Sequence, residues 1–410
     1  MGLLLLAYVG SFLMGQHSIR GVGLPSGVEY VVLGIFLGPN VTGLVEGSML
    51  ETFDPIADVA VGWIALLIGF GFGVEGGKRA RAAAIVGGSA ISLLTAGAIF
   101  LAFWFVSGKV GTLRGLDRVL LGGGIAAACS ETTRRAVRWV AERHGAKGPL
   151  ATLLGELSQS DDLVPILLVV GLFALAIPPR LVMTVGAGTV TWTIDPWGWV
   201  AITLGFGAGL GALAALLLGR DFRKNESWGV LLGLSVMGIG INARLGLSSI
   251  GTMFALGLVA ALLSRHREAL REMVSTTDRP VLHPALLLAG AHVDLRAMGS
   301  IAFYMLFTLA ARMAAKGVSG FVLGSMVPAA RAAGPMLGLG LLSSGALSMT
   351  IGLAFALRFP GAVGDAVLAT AATTTLFGEL VGPTALRIAL RNAGEVQAVE
   401  APDERGVAGA

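Results

Sequence analysis

Long apolar runs separated by short polar or charged turns set the pattern of this chain. A helix needs ~20 mostly apolar residues to cross a bilayer. Read that way, the runs predict about thirteen spans, near 3–19, 24–38, 56–75, 82–106, 116–140, 149–177, 197–219, 227–242, 247–264, 280–293, 300–324, 334–357 and 362–390. Three of them are interrupted. Near 116–140 the polar block Ser130-Glu131-Thr132-Thr133 cuts an apolar segment and leads into Arg134, Arg135 and Arg138. Near 334–357 the break is Ser343-Ser344-Gly345, followed by Ser348 and Thr350. Pro149–Ile177 carries Glu156, Gln159, Ser160, Asp161 and Asp162 close to its middle.

Each interruption has a physical reading. Glycines followed by a polar tetrad suit a helix that unwinds and leaves backbone groups lining a cavity. A cytoplasmic helix end with snorkelling arginines is the other reading of 130–138. Carboxylates at bilayer depth cost ~2.5–3.5 kcal/mol each on insertion scales, so they persist where they have a task or a partner. That points to an ion-binding site at Asp161 and Asp162. Adjacent helical residues point about 100° apart, so both reach one cavity only where neighbouring helices are open. Arg312 and Lys316 stand at i, i+4 spacing on one face of the eleventh span, where two cations need counter-charges.

Composition settles the class. Of 410 residues, 55% are hydrophobic and 13% charged, with 61 glycines. Soluble domains average ~25% charged residues and ~7% glycine. The chain is therefore read as a polytopic membrane protein whose helices pack closely through glycine. A pI near 9.6 reflects Lys and Arg at helix ends rather than nucleic-acid binding. One cysteine, Cys129, leaves no internal disulfide and no multi-cysteine metal site. No signal peptide is expected, and the longest polar stretch is the tail from Asn392 to Ala410. Loops after odd-numbered spans, with the C-terminal end, hold sixteen Lys or Arg; the opposite loops hold seven. The positive-inside rule then places the N-terminus outside and the C-terminus in the cytoplasm. GFGFGVEGG near 69–77 follows no strand and sits at a span end, so it reads as close helix packing rather than a nucleotide loop. His17, His283 and His292 lie near span ends and are read as helix-end residues.

Several motifs, in order, resemble the monovalent cation/proton antiporter superfamily. LGIFLGP (Leu33–Pro39), followed by an acidic outer loop with Glu46, Glu51, Asp54 and Asp58, resembles the close of that family's second helix. DVAVGWIALLIGFGFGVE (Asp58–Glu75) is similar to its third. Ser130-Glu131 stands where the family has Thr-Asp in a broken helix, although the proline is missing here and two arginines are added. Pro149 lies thirteen positions before Asp162, matching the family's shared carboxylate, with Asp161 at the partner position. Aspartate at both positions resembles the electrogenic double-aspartate branch. His283-Pro284 with Gly290–Leu295, and KGVSG (Lys316–Gly320) with Ala315 in place of a leading glycine, continue the likeness. Ser343 and Ser344 fall in its second unwound helix.

The resemblance implies an all-α fold of two inverted-topology six-helix repeats with two broken crossing helices. It implies scaffold and dimerisation helices at 1–80 and 226–298, ion-binding core helices at 81–180 and 299–391, a linker helix at 181–225, and a cytoplasmic tail at 392–410. The expected function is secondary exchange of Na⁺ (or Li⁺) for protons by a homodimer in the bacterial inner membrane. Asp161 and Asp162 would carry the ion, with Ser130, Thr132 or backbone carbonyls completing a hard oxygen shell for Na⁺. Glu131 and Lys316 would balance the half-helix ends, and Arg312 would pair with Glu156. No cofactor is expected beyond the transported ions. K⁺/proton antiport and sodium-coupled organic anion symport share this architecture. An intramembrane aspartyl protease needs aspartates on two helices, which this pattern lacks, so no enzyme activity is expected.

Overall fold

The computed structural model describes residues 27–396, apart from 73, 76–77, 80–81, 111–114, 179, 186–187 and 219–223. The expected first span, His17, Arg20, Arg81, Arg114, Arg220, Arg223 and the tail beyond 396 lie outside the described residues. Nearly all the rest is helix. The first half runs through α1 (Val28–Leu37), α2 (Gly47–Gly71), α3 (Ala82–Val110), α4 (Leu116–Ala128), α5 (Arg134–Arg143), α6 (Pro149–Ser160) and α7 (Leu163–Ala176). Then come α8 (Pro196–Leu217), α9 (Lys224–Leu245), α10 (Ser249–Leu263), α11 (Arg267–Ser275) and α12 (Asp278–Ala291). The chain closes with α13 (Leu295–Met326), α14 (Pro328–Arg331), α15 (Met336–Gly340), α16 (Ala346–Arg358) and α17 (Ala362–Asn392).

Among the described residues, six helical stretches are long and apolar enough to cross a membrane: Gly47–Gly71, Ala83–Gly108, Pro149–Ala176, Pro196–Leu217, Ser227–Leu245 and Ile301–Met326. Val28–Leu37, Ser249–Leu263 and Ala346–Arg358 are apolar but shorter. The two crossings opened at 129–133 and 341–345 fall below the length of a span, and the expected first span lies outside the described residues, so this set is smaller than the thirteen expected.

The structure corrects the sequence reading in four places. Two antiparallel hairpins join the helices: β1 (Val74–Glu75) with β2 (Lys78–Arg79), and β3 (Arg180–Val185) with β4 (Gly188–Thr193). The second occupies the start of the expected linker region, where Val182, Val185, Val190 and several threonines favour extended backbone. The acidic stretch read as an outer loop is already helical from Gly47, so Glu51, Asp54 and Asp58 stand on α2. The turn rich in arginine after α10 folds as α11, which buries Leu270, Met273 and Val274 on one side. Finally, the expected span at 149–177 is one membrane-length stretch, Pro149–Ala176, whose helix is interrupted at its middle. Pro165 has no N–H to offer the carbonyl of Asp161 four residues earlier, and its ring crowds that carbonyl. The ladder opens at Asp161–Asp162 accordingly.

Close backbone approach explains much of the glycine content. A Cβ on Gly69 of α2 would sit 2.3 Å from the Phe254 carbonyl of α10, and one on Gly257 2.4 Å from the Leu66 carbonyl. These two helices, one from each half, can meet at this distance only through glycine. One large apolar core joins residues of both halves, and a smaller one gathers α5, α6, α15 and the end of α17 around Leu150, Leu154, Leu337, Leu386 and Leu390. Beyond α17, both Glu395 carboxylate oxygens accept from the first amides of α6, Leu150 N at 2.6 Å and Ala151 N at 2.8 Å. These are otherwise unpaired donors at a helix start.

The two broken helices cross at the centre. One opens at 129–133 between α4 and α5, the other at 341–345 between α15 and α16. Thr133 N donates to Ser343 O at 2.9 Å, and Thr132 Oγ1 to Leu341 O at 3.0 Å. Glu131 Oε1 accepts from Gly345 N at 2.8 Å and Ser348 N at 3.0 Å, closing the amide end of α16. Arg312 answers the carbonyl ends: its guanidinium donates to Glu131 O at 2.8 Å, Leu342 O at 3.1 Å and Ser344 Oγ at 2.7 Å. Anion on amides and cation on carbonyls is the favourable sense for helix dipoles. Hydrogen bonds to a charged group contribute about 1.5–3 kcal/mol, so Glu131→Ala should lower stability by about 2 kcal/mol or more. Glu131→Gln keeps an acceptor oxygen and should cost less. Thermal unfolding of the purified variants in detergent checks this order.

Candidate functional site

Beside the crossing lies a short polar chain. Lys316 Nζ, on α13, donates to Thr132 Oγ1 at 2.7 Å and lies 3.5 Å from Asp161 Oδ2. Lys316 is 0% exposed and Asp161 2%, so this ion pair is shut off from water. Such a pair survives only because each charge supplies the other's counter-charge; removing one leaves an uncompensated buried ion. Asp161 Oδ1 is buried with no hydrogen-bond partner. That oxygen is suited to a proton or a cation stripped of water.

Asp162 is turned differently. It is half-buried and lines a cavity of about 240 Å³ with Gln159, Arg134, Arg135, Arg138 and Arg271. The opened ladder before Pro165 gives the two neighbouring aspartates these separate environments. Gln159 donates its amide to Gly71 O, tying this helix to the end of α2. Among the described residues, no group of three or more His, Cys, Asp or Glu could hold a metal ion. Oxygens from carboxylates, hydroxyls and unwound carbonyls suit a hard monovalent cation as cargo.

The structure thus brings Asp161, Thr132 and Lys316 together, with Glu131, Arg312 and Ser344 in the adjoining crossing. Other residues singled out in the sequence lie apart. Ser130 Oγ donates to Ala127 O at 3.3 Å and meets Ser92 Oγ at 3.5 Å, so it serves its own helix and α3. Ser343 Oγ is buried against α17, where a Cβ on Gly382 would sit 2.2 Å from it. The expected Arg312–Glu156 ion pair is not present. Arg312 is 1% exposed and turns both terminal nitrogens to the crossing, while Glu156 lies one turn before the aspartates and makes no ion pair with it. His292 bridges Leu288 O and Asp54 Oδ1 at 2.8 and 3.1 Å, and His283 stacks on Tyr30 with ring centroids 4.2 Å apart. Sequence reasoning missed two contributors. Pro165 was visible as a proline four residues after Asp161. Arg134 was visible only as a charge, since its place in the cavity depends on tertiary packing.

Comparison with known proteins gives the same direction. The family model described as "Sodium/hydrogen exchanger, transmembrane" matches residues 4–392. A search of curated protein sequences finds no match. Among solved structures, the chain is similar to the sodium proton antiporter MjNhaP1 from Methanocaldococcus jannaschii at pH 8, with TM-score 0.67 and 14% identity, covering 93% of this chain and 97% of that one. A second structure of the same antiporter, from electron microscopy, gives TM-score 0.64 at 15% identity, covering 97% and 98%. At such identity the likeness shows a shared fold. The family match extends over almost the whole sequence, and the protein belongs to the transmembrane sodium/hydrogen exchanger family of cation/proton antiporters.

Proposed function

We propose that the protein exchanges Na⁺ or Li⁺ for protons by alternating access, with Asp161 and Asp162 as the shared site for cation and proton. The observation that carries this reading is the water-excluded Asp161–Lys316 pair, set one residue from a carboxylate facing a cavity. Cation and proton compete for the same oxygens, so binding one expels the other. When a cation occupies Asp161, the Lys316 ammonium loses its counter-charge inside apolar surroundings, which favours release of its proton. Each cation then exchanges for more than one proton and the cycle moves net charge. One net charge across 100 mV corresponds to ~2.3 kcal/mol, enough to couple exchange to membrane potential.

Packing supports a division of labour. α1 rests on α12 and α2 on α10, whereas α3, α4, α6 and α7 pack together, as do α13, α15, α16 and α17. The first set, within 1–80 and 226–298, acts as the scaffold through which a homodimer forms. The second, within 81–180 and 299–391, acts as the moving core. The cavity opens on the side of Arg138 and Arg271, the side that the Lys/Arg bias assigns to the cytoplasm of a bacterial inner membrane, with the C-terminus there and the N-terminus outside.

Cation-induced proton release from purified protein, scanned across Na⁺, Li⁺ and K⁺, tests the assignment. No release with any of them overturns it; release by K⁺ at concentrations matching Na⁺ would favour K⁺/proton antiport. Asp162→Asn is expected to abolish exchange in proteoliposomes with an unchanged elution profile, because shape is kept and the titrating ligand lost. Residual exchange at the wild-type rate would remove Asp162 from the site. Asp161→Asn separates Lys316 from its carboxylate and should leave slower exchange with a weakened dependence on voltage. This is read by clamping the potential with potassium and valinomycin, once K⁺ is shown not to be a substrate. A wild-type reversal point indifferent to voltage would make Lys316 a structural charge only.

A further inference from the structure

The cavity that reaches Asp162 separates two sets of helices. On one wall stand α5 and α6, which bring Arg135, Gln159 and Asp162. Opposite stand α2, α11 and α12, to which Ile68, Phe70 and Asp278 belong. Within the first set the joint is tight. α6 packs on α3 and α5, and a Cβ on Gly88 of α3 would sit 2.5 Å from the Leu157 carbonyl of α6. Helices interlocked at that distance move as one body, because sliding would require the whole interface to repack.

Across the cavity the joint is of another kind. Gln159 donates its side-chain amide from α6 to the carbonyl of Gly71, the last residue of α2. Arg135 of α5 pairs with Asp278, the first residue of α12. Both are single polar side chains reaching from one body to the other. A carbonyl at a helix end has no partner within its own helix, so the Gly71 oxygen needs a donor from elsewhere. Gln159 supplies it, and a cavity of about 240 Å³ leaves room for water to do the same. Exchange of a protein donor for water costs little net free energy, so this bond is made to be broken. Apolar packing at the same place would not be.

The place of Gln159 gives the bond its consequence. It stands three residues before Asp162 and lines the same cavity, at the end of α6 where the ladder opens. We propose that Gln159 is a positioning residue for exchange. Its bond to Gly71 holds the aspartate-bearing body against the scaffold while the cavity is open, and the body moves when water takes over that carbonyl. The Arg135–Asp278 pair is a tie of the same sense on the same cavity. The inference rests on the division into scaffold and moving core drawn above.

The test reads the balance of the two states in the full chain in nanodiscs. Spin labels at Lys147→Cys, between α5 and α6, and Glu272→Cys, on α11, report the separation of the two bodies by pulsed electron resonance. Both positions are exposed, whereas the native Cys129 is buried and stays in place; the unsubstituted chain is the labelling blank. Gln159→Met keeps the length of the side chain and removes the donor. It should lower the ratio of cavity-open to cavity-closed protein about two- to tenfold, the range that one net hydrogen bond supports. Elution and thermal unfolding check the fold. If this variant fails to fold, Gln159→Asn, which keeps the amide but falls one methylene short of Gly71, is read in its place. A merely structural role predicts a lower melting temperature with the ratio unmoved. A ratio unmoved or raised, with two populations present in the wild type, overturns the tie and leaves the scaffold and core standing. A single population that no Gln159 variant changes overturns both.

Discussion

The mutual closure of two unwound helices is the constraint on which the rest depends. A helix broken inside a bilayer exposes amides on one side of the gap and carbonyls on the other, and lipid offers them nothing. Here one buried anion and one buried cation, supplied by different elements, meet most of that demand. Glu131 serves the amides of α16, and Arg312 serves carbonyls from both gaps. Each is tolerable in the interior because it is held by several hydrogen bonds at the crossing, two to the Glu131 carboxylate and three from the terminal nitrogens of Arg312.

That division makes sense of two cations placed one turn apart on α13. Arg312 cannot shed its proton in a protein, so it is suited to permanent bracing. Lys316 is a compact ammonium whose charge responds readily to its surroundings, and it stands beside the buried Asp161 carboxylate. Exchanging the two would put the fixed charge beside Asp161. Thr132 lies between them, donating to a carbonyl of the second gap while accepting from Lys316, so brace and site share one hydroxyl.

Much of this was legible in the sequence, for definable reasons. A polar block within an apolar run has few solutions in a membrane, so the breaks at 130–133 and 343–345 and the aspartate pair stood out without coordinates. Arg312 and Lys316 were equally visible, but spacing along a helix does not say which acceptor lies opposite. Glu156 was therefore as reasonable a partner for Arg312 as the carbonyls that bind it. Backbone carbonyls leave no signature in sequence. The helix α11 was obscured by its charges, since its three buried side chains are few beside the arginines around them. Pro165 was a signal of the ordinary kind, outweighed by the apolar run in which it sits.

The closure of α6 by Glu395 has a mechanical meaning. One end of that helix is fastened by a carboxylate gripping two amides, and packed around Leu150 and Leu154. The other end, at Asp161, has been deprived of a rung by a proline. Such a rod is clamped at one tip and compliant at the other, and Asp161 and Asp162 ride on the compliant tip. The residues just beyond the last helix thus act as an anchor, and a chain shortened before Glu395 would release the clamped end while leaving every membrane-crossing segment in place.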